Sequence, residues 1–244
     1  MLGNLKKIKD SLGNYIFPVT VSKAVYVDET KTLETKLLEL NKLYGLKLGI
    51  IGDSISVVGY KGNGMEYPKQ IADRNNMSLN NLAVSGSMIT KSTVSGHTSD
   101  HMCERILKLD DDCDVVIVAG GVNDLRNGLP LGTMDSTDNT TFYGALDILC
   151  KNMITKFPNK PKVIITPIKY RANNEGLKPY VSAIKEVAIK YAIPVLDSFS
   201  TCDLQPDINF INTNYFYQGD GLHPNGAGHV IRAREIENFL LNLV

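Results

Sequence analysis

From Leu46 onward the sequence predicts an α/β domain: a five-stranded parallel sheet with helices on both faces. Three observations predict it. Apolar runs of strand length alternate with segments of helical periodicity as far as Val244. The strongest run, DVVIVAGGVND, is continuously apolar before a glycine pair, as a strand buried on both faces is. The chain has 244 residues, 43% of them apolar and 21% charged, enough for a sizeable core without disulfides or a structural metal.

The elements follow in order. LKLGIIGDS reads as a buried strand ending at Ser54. MEYPKQIADRNN has helical spacing through Tyr67, Ile71 and Arg74, with Pro68 tolerable in a first turn. LNNLAVSG is a weaker second strand, and HTSDHMCERILKL is a helix with Met102, Ile106 and Leu109 on one face. After the third strand, FYGALDILCKNMITKF is a helix and KVIITPI a fourth strand. LKPYVSAIKEVAIKYA is a helix, IPVLDSF a fifth strand, and GAGHVIRAREIENFLLNLV a closing helix.

Residues 1–45 have a different texture and are predicted to form a separate arm. FPVTVSKAVYVD alternates like a strand. Thr30 or Thr32 then caps a helix whose stripe is Leu33, Leu37, Leu40 and Tyr44. A helix of about a dozen residues is marginal alone in water, so its stripe is expected to rest on the domain or on copies of itself. The arm thus predicts attachment or homo-oligomerisation, and residues 46–244 the functional domain.

Composition narrows the function. Lys+Arg and Asp+Glu both number 26, so there is no basic footprint for nucleic acid and no polybasic membrane patch. No segment approaches the ~18 apolar residues of a spanning helix, which argues against membrane insertion. The first residues lack a continuous apolar stretch, so synthesis in the cytoplasm without a signal peptide is expected. Cys103, Cys113, Cys150 and Cys202 fall into no metal spacing and read as buried thiols.

In an open parallel sheet, ligands bind at the carboxyl ends of the strands. Those ends carry Gly52-Asp53-Ser54, Ser85-Gly86 and Gly120-Gly121-Val122-Asn123-Asp124, and Asp220-Gly221-Leu222-His223-Pro224 lies beyond the fifth strand. These are the parts acyl transfer needs. A serine hydroxyl is a weak nucleophile until a base such as His223 activates it. Asp220, three residues earlier, can orient that base. The Ser54 and Gly86 N–H groups and the Asn123 amide can form an oxyanion hole. Asp53 is expected to hold the turn by hydrogen bonds. His97 and His101 are four apart but read as a solvated face rather than a metal pair, and His229 as a partly exposed polar residue. Asp110, Asp111 and Asp112 read as a charged turn ending a helix, so no metal site is expected.

The blocks Gly52-Asp53-Ser54-Ile55, Gly86, Gly121-Val122-Asn123-Asp124 and Asp220-Gly221-Leu222-His223-Pro224, in this order, resemble the four blocks of the SGNH (GDSL-like) hydrolase family. Ile55 stands where many members carry Leu. The resemblance covers about residues 46–244. It implies a three-layer αβα sandwich with a flavodoxin-like sheet and no cofactor. Ser54 is implied as nucleophile, His223 as base, Asp220 as orienting acid, and Gly86 and Asn123 as oxyanion donors. Esters, thioesters or acetylated sugars are the implied substrates.

Two further regions bear on the substrate. The polar stretch after Asn123 reads as a lid or rim loop. Tyr215 and Tyr217, just ahead of Asp220, can stack on a sugar face or simply pack their loop. Together they favour a short acyl group, such as acetyl, on a carbohydrate. A lipase or lysophospholipase of the same fold and a non-catalytic receptor-binding virion protein are the alternatives. The stretch PVTVSKAVYVDETKTLETKLLELN resembles, less specifically, the leaders of phage tail and baseplate proteins, which implies display on a virion or phage-like particle.

Overall fold

The computed structural model describes residues 8–9, 15–16, 41–92 and 101–244. The chain divides into two compact units, Met1–Tyr44 and Gly45–Val244. In the first, β1 (Ile8–Lys9) and β2 (Tyr15–Ile16) pair antiparallel. The arm's predicted strand at 17–28, its helix up to Leu40, and His97 lie outside the described residues.

In the second unit the sheet comprises β3 (Lys47–Gly52), β4 (Ser78–Asn81), β5 (Val115–Ala119), β6 (Lys162–Ile165) and β7 (Val195–Leu196). Its order is β4-β3-β5-β6-β7 and every pair is parallel, which is the flavodoxin-like order. The helices are α1 (Tyr67–Arg74), α2 (Met102–Arg105), α3 (Val122–Arg126), α4 (Phe142–Lys156), α5 (Asn174–Lys190), α6 (Ser198–Thr201), α7 (Asn209–Tyr215) and α8 (Gly226–Leu243).

Strand periodicity divides the core. Ile51, Val116, Val118 and Ile164 pack with Met102, Ile106, Leu146, Leu149, Ile184 and Val187 from α2, α4, α5 and the turn after α2. The alternate residues Leu48, Ile50, Ile117, Val163 and Ile165 are also fully buried, and by the strand alternation they face the other way. α1 and α8 pack against each other. The Arg74 Nη2–Glu237 ion pair, 2.7 Å long, ties their ends. Burial on both faces is why these strands read as unbroken apolar runs.

The structure corrects four expectations. The second strand starts at Ser78 and ends at Asn81, so Leu82, Ala83 and Val84 belong to the following loop. The predicted helix through 97–109 is, among the described residues, one α turn and then a 3₁₀ turn over Ile106–Lys108. His101 is buried, not solvated, because Met102 and Cys103 are drawn into the core beside it. His229 is buried as well: it shares the inward stripe of α8 with Arg232, Ala233, Ile236 and Leu240. Its Nδ1 accepts from the Tyr67 N–H at 3.3 Å and its ring stacks on Tyr67. Burial pushes the imidazole down to about 4, against the pull of Glu66.

Candidate active site

Ser54 lies in the turn just past β3, with Asp53 between it and the end of the strand at Gly52. Asp53, buried behind it, shapes the turn: its Oδ1 accepts from the Ile55 N–H at 3.0 Å and its C=O from the Ser56 N–H at 3.0 Å. Burial pushes the Asp53 carboxyl up to about 6, partly offset by the Ile55 bond. The Ser54 Oγ meets His223 Nε2 at 3.0 Å, across 169 residues of chain.

His223 sits on a loop that folds back on itself. Phe216 bridges Pro224, and the Tyr217 N–H donates to the His223 C=O at 2.8 Å. The return needs left-handed backbone at Gln218, Gly219 and Gly221. Gly221 has φ +66, and a Cβ there would meet Arg171 Cβ at 2.6 Å, so glycine is required on both counts. Asp220 divides its two oxygens between two tasks. Oδ1 accepts from the Leu222 and His223 N–H groups at 2.9 and 2.8 Å, and Oδ2 lies 2.8 Å from His223 Nδ1. Burial alone would raise this carboxyl, but the bonds from His223, Leu222 and Lys61 hold it well below the usual carboxylate range.

The second and third blocks meet beside this line. The Asn123 Nδ2 donates to the Ser87 C=O at 3.0 Å, next to Gly86, which has φ +76. Asp124, fully buried, accepts from the Ile89 and Thr90 N–H groups at 3.1 and 2.9 Å and so anchors the loop carrying Gly86. Among the described residues, neither the Ser54 nor the Gly86 N–H has a protein acceptor. One amide hydrogen of Asn123 is also uncommitted, since its Nδ2 makes one bond within the protein.

The remaining predicted residues separate. Tyr215 packs on the cluster of Ile168, Leu204 and Phe216. Tyr217 turns its ring to Lys61, whose Nζ lies 5.1 Å from the ring centroid. The stretch after Asn123 is tied down: the Leu129 C=O accepts from Tyr180 Oη at 2.6 Å, and Leu131 and Met134 pack on the core. Asp110 and Asp112 pair with Lys47, and Asp111 with Lys156, as a charged turn would. All four cysteines are buried free thiols. Lys61 and Tyr60 were not foreseen as neighbours of His223. Lys61 Nζ lies 3.0 Å from His223 Nδ1, and the Tyr60 ring meets the imidazole edge to face at 5.9 Å.

Comparison with known proteins bears on the fold and the family. A protein of known structure from Lactobacillus plantarum is 29% identical, with a TM-score of 0.73, covering 82% of this chain and 99% of its own. A candidate GDSL-like lipase from Bacteroides ovatus shares the fold at 19% identity, with a TM-score of 0.62, covering 81% of this chain and 99% of its own. A family two carbohydrate esterase from Clostridium thermocellum shares it at 18% identity, with a TM-score of 0.58, covering 81% of this chain and 63% of its own. No curated protein matches the chain significantly. The profile of the GDSL-like lipase/acylhydrolase family matches residues 50–231, which takes in all four blocks and well over half of the chain. The fold, the order of the blocks and this match together make the chain a member of the GDSL-like lipase/acylhydrolase family of hydrolases.

Proposed function

We propose that the chain is a serine esterase that removes short acyl groups, acetyl above all, from a carbohydrate. The observation that carries the reading is the unbroken line from Asp220 Oδ2 through the His223 ring to Ser54 Oγ, at 2.8 and 3.0 Å. With its proton on Nδ1 and held by Asp220, His223 presents a bare Nε2 to the hydroxyl.

In this reading Ser54 Oγ attacks the ester carbonyl carbon and its proton passes to His223 Nε2. The carbonyl oxygen takes up negative charge and receives the free N–H groups of Ser54 and Gly86 and the spare Asn123 hydrogen. His223 returns the proton to the leaving alcohol as the C–O bond breaks. Water then repeats the sequence on the acyl-serine: its proton goes to His223, the acid departs, and Ser54 regains its hydrogen. Asp220 stays ionised throughout and stabilises the imidazolium.

The carbohydrate part of the reading is supported by the aromatic side chains that flank the His223 loop, Tyr60 and Tyr217. A second reading, a lipase-type acylhydrolase, is favoured by the exposed Val58, Met65 and Val84 on the loops after β3 and β4. Turnover of p-nitrophenyl esters from C2 to C12, together with acetate release from an acetylated oligosaccharide, decides between them. The first reading expects acetyl to be fastest, a drop of tenfold or more by C8, and acetate release. A maximum at C8 or beyond, without release, overturns it in favour of the second.

A further inference from the structure

The loop after β3 carries a residue that the acyl-transfer scheme does not use. Lys61 reaches across 159 residues of sequence to Asp220 Oδ2, at 3.1 Å. The same Nζ is 3.0 Å from His223 Nδ1. Its side chain is 24% exposed, so the ammonium is held rather than waving in solvent. Two rings flank it, Tyr60 at 5.6 Å and Tyr217 at 5.1 Å from their centroids. The loop itself is braced from below. Glu66, buried, accepts from the Gly59 and Gly62 N–H groups, each at 2.9 Å. This bracket aims Lys61 at the Asp220–His223 pair.

We infer that Lys61 is a positioning residue that holds the outer oxygen of Asp220 and keeps His223 in its neutral, base-competent form to lower pH. The inference rests on the Ser54–His223–Asp220 reading above. It follows from charge and geometry. The imidazolium formed on acidification would stand against a fixed cation about one hydrogen bond away. That cation also shares the carboxylate that would otherwise serve the imidazolium alone. Both effects act in one direction. The other charged or titratable groups facing His223 are Asp220 on its own loop, Tyr60 on the loop after β3, Asp53 beneath the serine, and His229 on α8. None of them is a second ammonium.

Lys61 touches Asp220 and His223, not the acyl group, so its loss should alter the pH profile and kcat while leaving KM within about twofold. The test is kcat/KM on p-nitrophenyl acetate from pH 4.5 to 9 for wild type, Lys61→Met, Lys61→Gln and Lys61→Arg. In Met and Gln the acid limb should move up by about one pH unit, a tenfold loss of rate on that limb at fixed pH. Arg keeps the charge and should bring the limb back to within about 0.3 unit of wild type. High salt should move the wild-type limb toward that of Lys61→Met, because the site is partly exposed.

Limbs that coincide in wild type, Met and Gln overturn the inference, as does a rise in KM with the limb unmoved, which would make Lys61 a substrate contact. Met and Gln variants that fail to fold, judged by circular dichroism, also overturn it, since the residue is then structural. Ser54→Ala, assayed alongside, separates the two levels. If it remains active, the catalytic reading itself has failed. If it is inactive while the limbs coincide, the role given to Lys61 alone has failed.

Discussion

Asp220→Asn separates the two tasks of that carboxylate. Oδ1 receives the two backbone N–H groups of Leu222 and His223, and an amide oxygen can still receive them. Oδ2 faces His223 Nδ1 at 2.8 Å, and in the variant an NH2 group stands there. With its oxygen committed to those backbone groups, the amide offers the Nδ1 proton no acceptor, so the imidazole presents a bare Nδ1 and its proton moves to Nε2. Nε2–H then points at Ser54 Oγ, which needs an acceptor. The variant should therefore keep its fold, losing about 1 kcal/mol as charge-assisted bonds become neutral ones. Its kcat should fall by on the order of 10³–10⁴, the range for a triad left with the wrong tautomer. At 1.36 kcal/mol per decade that is about 4–5.5 kcal/mol of transition-state stabilisation, several times the stability loss. Asp220→Ala removes both acceptors and should match that loss of activity while losing a further ~2 kcal/mol of stability. The assay pairs urea unfolding with kcat on p-nitrophenyl acetate. An Asn variant within tenfold of wild-type kcat would refute the reasoning, because Asp220 would then not be setting the tautomer.

Other substitutions follow the same logic. Ser54→Ala should abolish turnover with little change in Tm, and a serine-reactive phosphonate should label the Ser54 peptide in wild type and leave the variant unlabelled. Asn123→Ala should lower kcat by about 10²–10³ with a smaller change in KM; a risen KM with kcat intact would instead mark uniform binding. His229 titrates near 4 in the folded chain and at an ordinary ~6.5 when unfolded, so on acidification the unfolded chain binds the proton first. Stability should therefore fall as pH drops from about 7 to 4, by up to about 3 kcal/mol. Asp53, pushed up to about 6, works in the opposite sense, since its folded form takes the proton first. The comparison is thus between wild type and His229→Gln. If their stability–pH curves run parallel, His229 is not the group responsible.

Legibility in the sequence followed burial. β3, β5 and β6 are buried on both faces, so unbroken apolar runs announce them. β4 lies at the sheet edge, where backbone pairing with β3 sets its register, and its residues Ser78, Leu79, Asn80 and Asn81 carry little apolar signal. The neighbouring Leu-Ala-Val drew the prediction downstream. α5 begins three residues before the expected Leu177, because Asn173 caps it through the Gly176 N–H, and Pro179 sits inside the helix where proline ordinarily argues for a boundary. α6 and α7 are too short for periodicity to register. The four blocks were legible because each chemistry-bearing residue ends a strand or opens a turn. Lys61 was not, since a contact across 159 residues leaves no local trace. Nor were the buried states of His101 and His229, which depend on the layers that close over them.

The span of 169 residues between Ser54 and His223 also sets when the site can come into being. The strand that carries the serine is among the first parts of this domain to leave a ribosome. The histidine loop and α8, which packs on α1, are among the last. A nascent chain therefore carries the Ser54 hydroxyl without His223 beside it until the last part of this domain has emerged. On the reading proposed above, the base reaches the serine only once the loop carrying His223 has folded back on itself. On that reading hydrolysis belongs to the finished tertiary structure, and its onset during refolding is expected to mark the joining of the two ends of the domain rather than formation of the sheet.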